Sequence, residues 1–456
     1  MKKGRITAII ATVISLLLVL SACGSPAPNT PASTTAAQAD TAAASAAADT
    51  TASQEAPRLS GDISFWSMWS ETEPQAEVVK TAVDEFKAAN PDVKVSIQWN
   101  GRDIRKTLKA ALDSGQSIDI FENDPDWLSK NIGLDYLLKL DDYYGKTYAT
   151  TEGKAFKDIL VPALVTWITG LSSGQGVYFV PNQAFAVCMF YSKDVFRKAG
   201  IDKAPQTWDE LLAACERLKA SGVAPITVDD AYYEILMGQY LGSMKGDAWV
   251  AQLMQDKTGE MWKDPAVVQF AKAFEELSGK GYISKNAASN KYPAGQQELG
   301  LEKAGMYLNG TWLPNELSGT TGPDFKWGEF AFPTLPNAVD NNTAMEFGAQ
   351  AYGINKNAKS ADAAFELLTY IVNKKTQGAF SDKTGSMPVT VGTNWPPVLS
   401  DVKPIFEGAT KCQAWASNLG ADGDFEPIAL EEFTKLISGK VTADQFVSDM
   451  AAKAKR

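Results

Sequence analysis

Two short stretches of the chain set indoles beside carboxylates and amides: Trp66-Ser67-Met68-Trp69-Ser70-Glu71 and Glu122-Asn123-Asp124-Pro125-Asp126-Trp127. An indole offers a flat apolar face, and the neighbouring acids and amides offer acceptors and donors. That pairing suits reversible contact with a ligand that is both apolar and hydrogen-bonding. It does not suit proton shuttling at neutral pH. The 456 residues include no histidine, the one side chain whose unperturbed charge switches in that range. A Ser-His-Asp or Cys-His unit and any His-ligated zinc or iron site are therefore excluded. Four scattered cysteines form no CxxC pair, so neither a disulfide framework nor a thiolate metal cluster is expected. The net charge of −11 disfavours nucleic acid, which needs clustered Lys and Arg. Twelve tryptophans, several outside any apolar periodicity, point to a binding surface. The length suggests two or three domains' worth of chain.

The elements around those stretches read as strand, helix, strand, helix, strand. Asp62 to Trp66 is strand-like. Thr72-Glu73-Pro74-Gln75 reads as a capping box with proline in the first turn. Val78, Val79, Ala82, Val83 and Phe86 recur at helical spacing, and Asn90-Pro91 ends the run. Val93, Val95, Ile97 and Trp99 alternate with polar residues; Ile104, Leu108, Ala111 and Leu112 give a second helix; Ile118 to Phe121 give a third strand. This order predicts a parallel sheet, with both indole-acid stretches beyond the carboxyl ends of its strands, where such sheets bind ligands. The bland reading has Trp66 and Trp127 packing under the sheet edge while the acids cap a helix.

The N-terminus supplies an address. Lys2, Lys3 and Arg5 precede an apolar run from Ile6 to Leu20, too short to span a bilayer comfortably. It ends in Leu20-Ser21-Ala22-Cys23, which resembles a bacterial lipobox. Residues 1–22 are expected to be a lipoprotein signal peptide with Cys23 lipidated. Residues 23–57, almost all Ala, Thr, Ser and Pro, lack side chains to bury and read as a disordered tether.

Further on, Val177 to Tyr191 is a long apolar run interrupted by Pro181-Asn182-Gln183. A short helix follows, ending at Gly200. Thr207-Trp208-Asp209-Glu210 is a capping box for a helix with Leu211, Leu212, Cys215 and Leu218 on one face, and Val223 to Val228 is a strand. Cys188 and Cys215 read as core residues and Trp208 as structural. The stretch from Tyr191 to Val228 resembles the signature region of bacterial ABC-transporter solute-binding proteins of carbohydrate-binding family 1, the maltose-binding-protein type. Phe65–Val95, Gly115–Ser129, Glu302–Leu317 (with its Asn-Gly-Thr-Trp loop) and Phe347–Val389 (with Thr-Gly-Ser-Met-Pro) resemble further segments of that family, in the same order.

The resemblance implies an α/β, periplasmic-binding-protein-like fold: two α/β lobes around a ligand cleft, joined by hinge strands crossing near Ala184 to Val187, Phe347 to Tyr352 and Thr384 to Pro388. The lobes are expected at 58–184 plus about 350–385, and at 185–349 plus about 386–456. It implies a protein that captures a sugar, here an oligosaccharide, and delivers it to an ABC permease from the extracellular face of the membrane. The protein is expected to act as a monomer, without cofactor, metal or catalysis. A sugar needs aromatic platforms for its C–H faces and paired donors and acceptors for its hydroxyls, each unmatched buried hydroxyl costing roughly 1–3 kcal/mol. At positions matching the family's ligand loops the chain offers Trp66, Trp69, Glu71, Asn123, Asp124 and Trp127, then Tyr232, Tyr233, Glu234, Asn309 and Trp312, and near the hinges Asn182, Gln350 and Met387. Trp312 is the foremost platform. Trp249, Trp262, Trp327, Trp395, Trp415 and Cys412 stay unassigned. Only seven arginines stand against thirty-six lysines; Arg102, Arg105, Arg197 and Arg217 fall on helices or their edges, which favours a neutral ligand over an anion gripped by an Arg fork. The rival readings are an exported glycoside hydrolase, for which Glu122, Asp124 and Asp126 are the closely spaced acids, and a peptide-binding or sensor protein of the same fold.

Overall fold

The computed structural model describes residues 58–456. The expected signal peptide over 1–22, the expected lipidation at Cys23 and the expected tether over 23–57 lie outside the described residues. Nine strands form one connected sheet: β1 (Gly61–Ser67), β2 (Val93–Trp99), β3 (Ile120–Asn123), β4 (Phe179–Ser192), β5 (Ala224–Ile226), β6 (Ala304–Gly310), β7 (Trp327–Phe330), β8 (Ala344–Ile354) and β9 (Lys411–Gln413). The order is β2-β1-β3-β8-β4-β6-β5, with β7 on β4 and β9 on β8. β1 pairs in parallel with both β2 and β3, as the alternation of strand and helix predicts. β8 and β4 run antiparallel to their neighbours in the middle of the order.

β4 and β8 are what make two halves of one sheet. β4 pairs with β8 from Phe179 to Ala186, then with β6 from Val187 to Tyr191. β8 pairs with β9 at its start, with β4 from Phe347, and with β3 over Ala351–Ile354. The Ala184 N–H donates to the Met387 carbonyl at 2.9 Å, so the three segments expected as crossings meet at one place. The Pro181-Asn182-Gln183 interruption is a β-bulge: register shifts between Asn182 and Ala184, and Gln183 sits at φ 50°. The strand bends there without ending.

Helices cover the sheet because their apolar stripes require it. The helix Pro74–Ala89 buries Val78, Val79, Ala82, Val83 and Phe86. Its expected capping box does not form. Glu73, not Thr72, is the N-cap residue, and the Glu73 carboxylate accepts from the Ser70 N–H and pairs with Arg102. At Thr207 the box forms in full, leading the helix Trp208–Ala220, whose inner face holds Leu211, Cys215 and Leu218. Leu212 is only partly covered. Cys188 and Cys215 are core residues, with burial pushing both thiols up. Trp208, Trp262 and Trp327 are buried as well. Among the described residues no helix is long and apolar enough to cross a membrane.

Candidate functional site

A cavity of about 1740 Å³ opens where the two halves face each other. At its base lie Phe185 of β4 and Glu346, Phe347 and Gln350 of β8. One wall carries Arg105 from the helix Ile104–Asp113, Asp124 and Trp127 from the loop after β3, and Trp167 from the helix Pro162–Gly170. The other carries Tyr232, Glu234, Trp312, Trp415 and Glu426.

The second wall is an aromatic platform. Trp312 and Trp415 are stacked, ring centroids 6.2 Å apart and planes 25° from parallel. Phe185 meets both edge-on, at 5.6 and 6.3 Å. Tyr232 lies tilted beside Trp312 at 6.4 Å and its hydroxyl accepts from the indole Nε1 at 3.3 Å. Trp312 sits close because residue 310 is glycine: a Cβ there would stand 2.1 Å from the ring. Trp415 is held by a turn in which Ala416, Ser417 and Asn418 are all left-handed, at φ 43°, 51° and 64°, costly for residues with a Cβ. Three acids fix it. Glu346 accepts from the Ala416 N–H (2.9 Å), Asp247 from the Ala414 N–H (2.9 Å), and Glu234 from the Trp415 Nε1 (2.9 Å).

Burial raises the acids of this wall. Glu234 is pushed up to about 7 by burial and by the adjoining Glu426 carboxyl. Glu346 is driven well above the carboxylate range by burial, and Asp247 is raised for the same reason. On the opposite wall burial raises Asp124, although its carboxylate accepts from the Trp127 N–H at 2.7 Å. Gln350 Oε1, Thr393 Oγ1, Glu346 Oε1 and Asp247 Oδ1 are buried without a hydrogen-bond partner, and their residues all line the cavity.

Residues 69–378 match the bacterial extracellular solute-binding protein family. The chain belongs to that family. A binding protein of Brucella abortus (strain 2308) is 24% identical over 402 residues, 84% of this chain and 89% of that one. The multiple sugar-binding protein of Streptococcus mutans serotype c is 24% identical over 320 residues, 69% of this chain and 72% of that one. The structure of apo RafE from Streptococcus pneumoniae superposes with a TM-score of 0.69 at 19% identity, covering 88% of this chain and 100% of that one. The fold is the periplasmic solute-binding fold, two α/β lobes around a cleft.

In this solute-binding protein, six of the fourteen ligand candidates line the cleft: Asp124, Trp127, Tyr232, Glu234, Trp312 and Gln350. The other eight do not. Trp66 packs in a core with Ile104, Leu108 and Phe121. Trp69 is turned inward, donating to Glu122 at 2.8 Å under the Arg102 guanidinium. Glu71 is exposed and paired with Lys80. Asn123 is buried and accepts from Arg105 Nε at 2.9 Å. Asn182 donates to the Tyr352 hydroxyl at 2.7 Å and accepts from Gln377 at 2.9 Å. Tyr233 donates to the Ala287 carbonyl at 2.6 Å. Asn309 and Met387 are fully buried. Seven of these eight are buried in the frame, and Glu71 lies on the outer surface.

Trp167, Trp395 and Trp415 line the cleft without having been assigned from sequence, as does Cys412, whose thiol donates to the Phe347 carbonyl at 3.3 Å. Trp249 lies partly buried beneath Lys245. Arg105, expected on a solvated helix face, stands over the Trp127 ring at 5.6 Å and lines the cleft. Glu122 is fully buried, accepting from Ser67 and Trp69. Asp126 pairs with Lys130. Of the three acids named for the hydrolase reading, Glu122 is buried away from the cleft, whereas Asp124 and Asp126 line it.

Proposed function

We propose that this solute-binding protein captures a sugar, an oligosaccharide, in the cleft and hands it to an ABC permease without altering it. The carrying observation is the stacked Trp312–Trp415 pair, with Tyr232 and Phe185, on one wall of a 1740 Å³ cavity. Indole faces suit the C–H faces of pyranose rings, and unpartnered Gln350 Oε1 and Thr393 Oγ1 suit their hydroxyls. Sites for a single drug-sized molecule run to roughly 300–1,000 Å³, so the volume favours several sugar rings over one. The relative named as a multiple sugar-binding protein supports the same class.

The lobes divide at 58–184 plus about 350–385, and 185–349 plus about 386–456, and the sugar favours a closed arrangement because both walls touch it only there. Cys23 carries the lipid, and the body acts as a monomer at the extracellular face of the cell membrane. Calorimetry against a panel of mono- and oligosaccharides, with peptides as the contrast, tests this reading. Saturable heat with a sugar is the expected result; stabilisation by peptides alone, or turnover of labelled oligosaccharide, overturns it.

A further inference from the structure

The acids that clamp the Trp415 turn each commit only one oxygen to it. Glu346 gives Oε2 to the Ala416 N–H, and its Oε1 has no partner although the residue is 2% exposed. Asp247 gives Oδ2 to the Ala414 N–H, and its Oδ1 has none. Glu234 gives Oε1 to the Trp415 indole and has a second carboxyl, Glu426, beside it. All four residues line the cleft.

The lysines that line the cleft are already paired. Lys411 pairs with Asp340 at 2.6 Å, Lys403 with Glu407, and Lys130 with Asp126. Arg105 sits on the opposite wall, bonded to Asn123. Three carboxyls share this partly desolvated wall, and a hydroxyl donor forms hydrogen bonds but brings no charge that would let any of them ionise. An ammonium supplies three donors and the charge. The stacked indoles beside them add a face that attracts cations.

We propose that the sugar taken by this cleft carries a protonated amine, and that Glu234 and the unpartnered oxygens of Asp247 and Glu346 receive it beside the Trp312–Trp415 pair. The proposal rests on the sugar reading above and narrows it to amino sugars with a free amine.

Calorimetry of the full chain at pH 6.5 tests it, using matched oligomers of glucose, glucosamine and N-acetylglucosamine in each of several linkages. The expected result is a linkage in which the free amine binds about tenfold or more tightly than both neutral counterparts, the worth of one charge-assisted hydrogen bond. Glu346→Gln and Glu234→Gln should each lose most of that preference; the second, at a less buried position, keeps the test available where the first fails to fold. A neutral member that binds as well as the amine, or better, overturns the inference and leaves the sugar reading standing. Absence of binding by every sugar overturns both.

Discussion

Trp312 shows how a single residue was legible in the sequence and others were not. It follows a strand in an Asn-Gly-Thr-Trp loop, and the loop's glycine leaves the room its ring occupies. Removing the indole should weaken sugar binding by about tenfold or more, because it forms half of the stacked platform. The partly exposed side chain carries little of the core, so the unfolding midpoint of Trp312→Ala should stay close to the parent's; calorimetry and thermal melts together check this. Trp66 misled because the sequence places it at the rim beyond its strand, whereas it lies inside β1, whose end is covered on both faces. Arg105 misled because a helix edge looks solvated until the loop after β3 folds over against it. A different residue sets a pH signature. Glu329 is 4% exposed with neither oxygen partnered, and burial, with Asp401 nearby, pushes it up to about 8 from the ordinary 4.5. An acid raised in the folded state holds its proton there, so stability falls as pH rises from about 4.5 to 8. Glu329→Gln should remove that loss and exceed the parent by on the order of 2 kcal/mol at pH 9, with no gain at pH 4. Parallel denaturation curves at both pH values would contradict it.

At the scale of elements, the helices and first three strands followed from periodicity, because amphipathic stripes and alternation are local signals. The capping box at Thr207 was also local and correctly read, while the one at Thr72 was pre-empted by a bond to Arg102 from a later segment. Half of the aromatic platform, Phe185 and Trp415, was hidden because the four members come from separate segments that meet only in the folded sheet. The helix Tyr233–Lys245 illustrates the dependence. Its Gly238 lies so close to the Trp415 turn that a Cβ would meet the Ala416 carbonyl at 2.0 Å. Helix propensity alone favours Gly238→Ala by roughly 1 kcal/mol. The contact predicts the reverse: a loss of about 1–3 kcal/mol from overpacking and weaker sugar binding as Trp415 shifts. Urea denaturation and ligand titration of that variant separate the two; a gain in stability with unchanged affinity would show that the turn does not rest on the helix.

For the whole molecule, the order of strands and the five family-like segments made the two-lobed fold legible, and residues 69–378 bear out that family. Which face each tryptophan takes depended on lobe-to-lobe geometry that no local pattern encodes. Closure is the expected global response. Small-angle scattering should show a smaller radius of gyration with saturating sugar, and an unchanged radius would remove lobe closure from the account. The central claim is that the Trp312–Trp415 cleft binds a sugar. Calorimetric titration of the protein and of its Trp312→Ala variant with the same oligosaccharide panel tests it most directly. Saturable one-to-one binding to the parent is expected for at least one sugar, weakened about tenfold or more in the variant; equal affinity in the two proteins, or no binding by any sugar, would rule out this cleft as the sugar site.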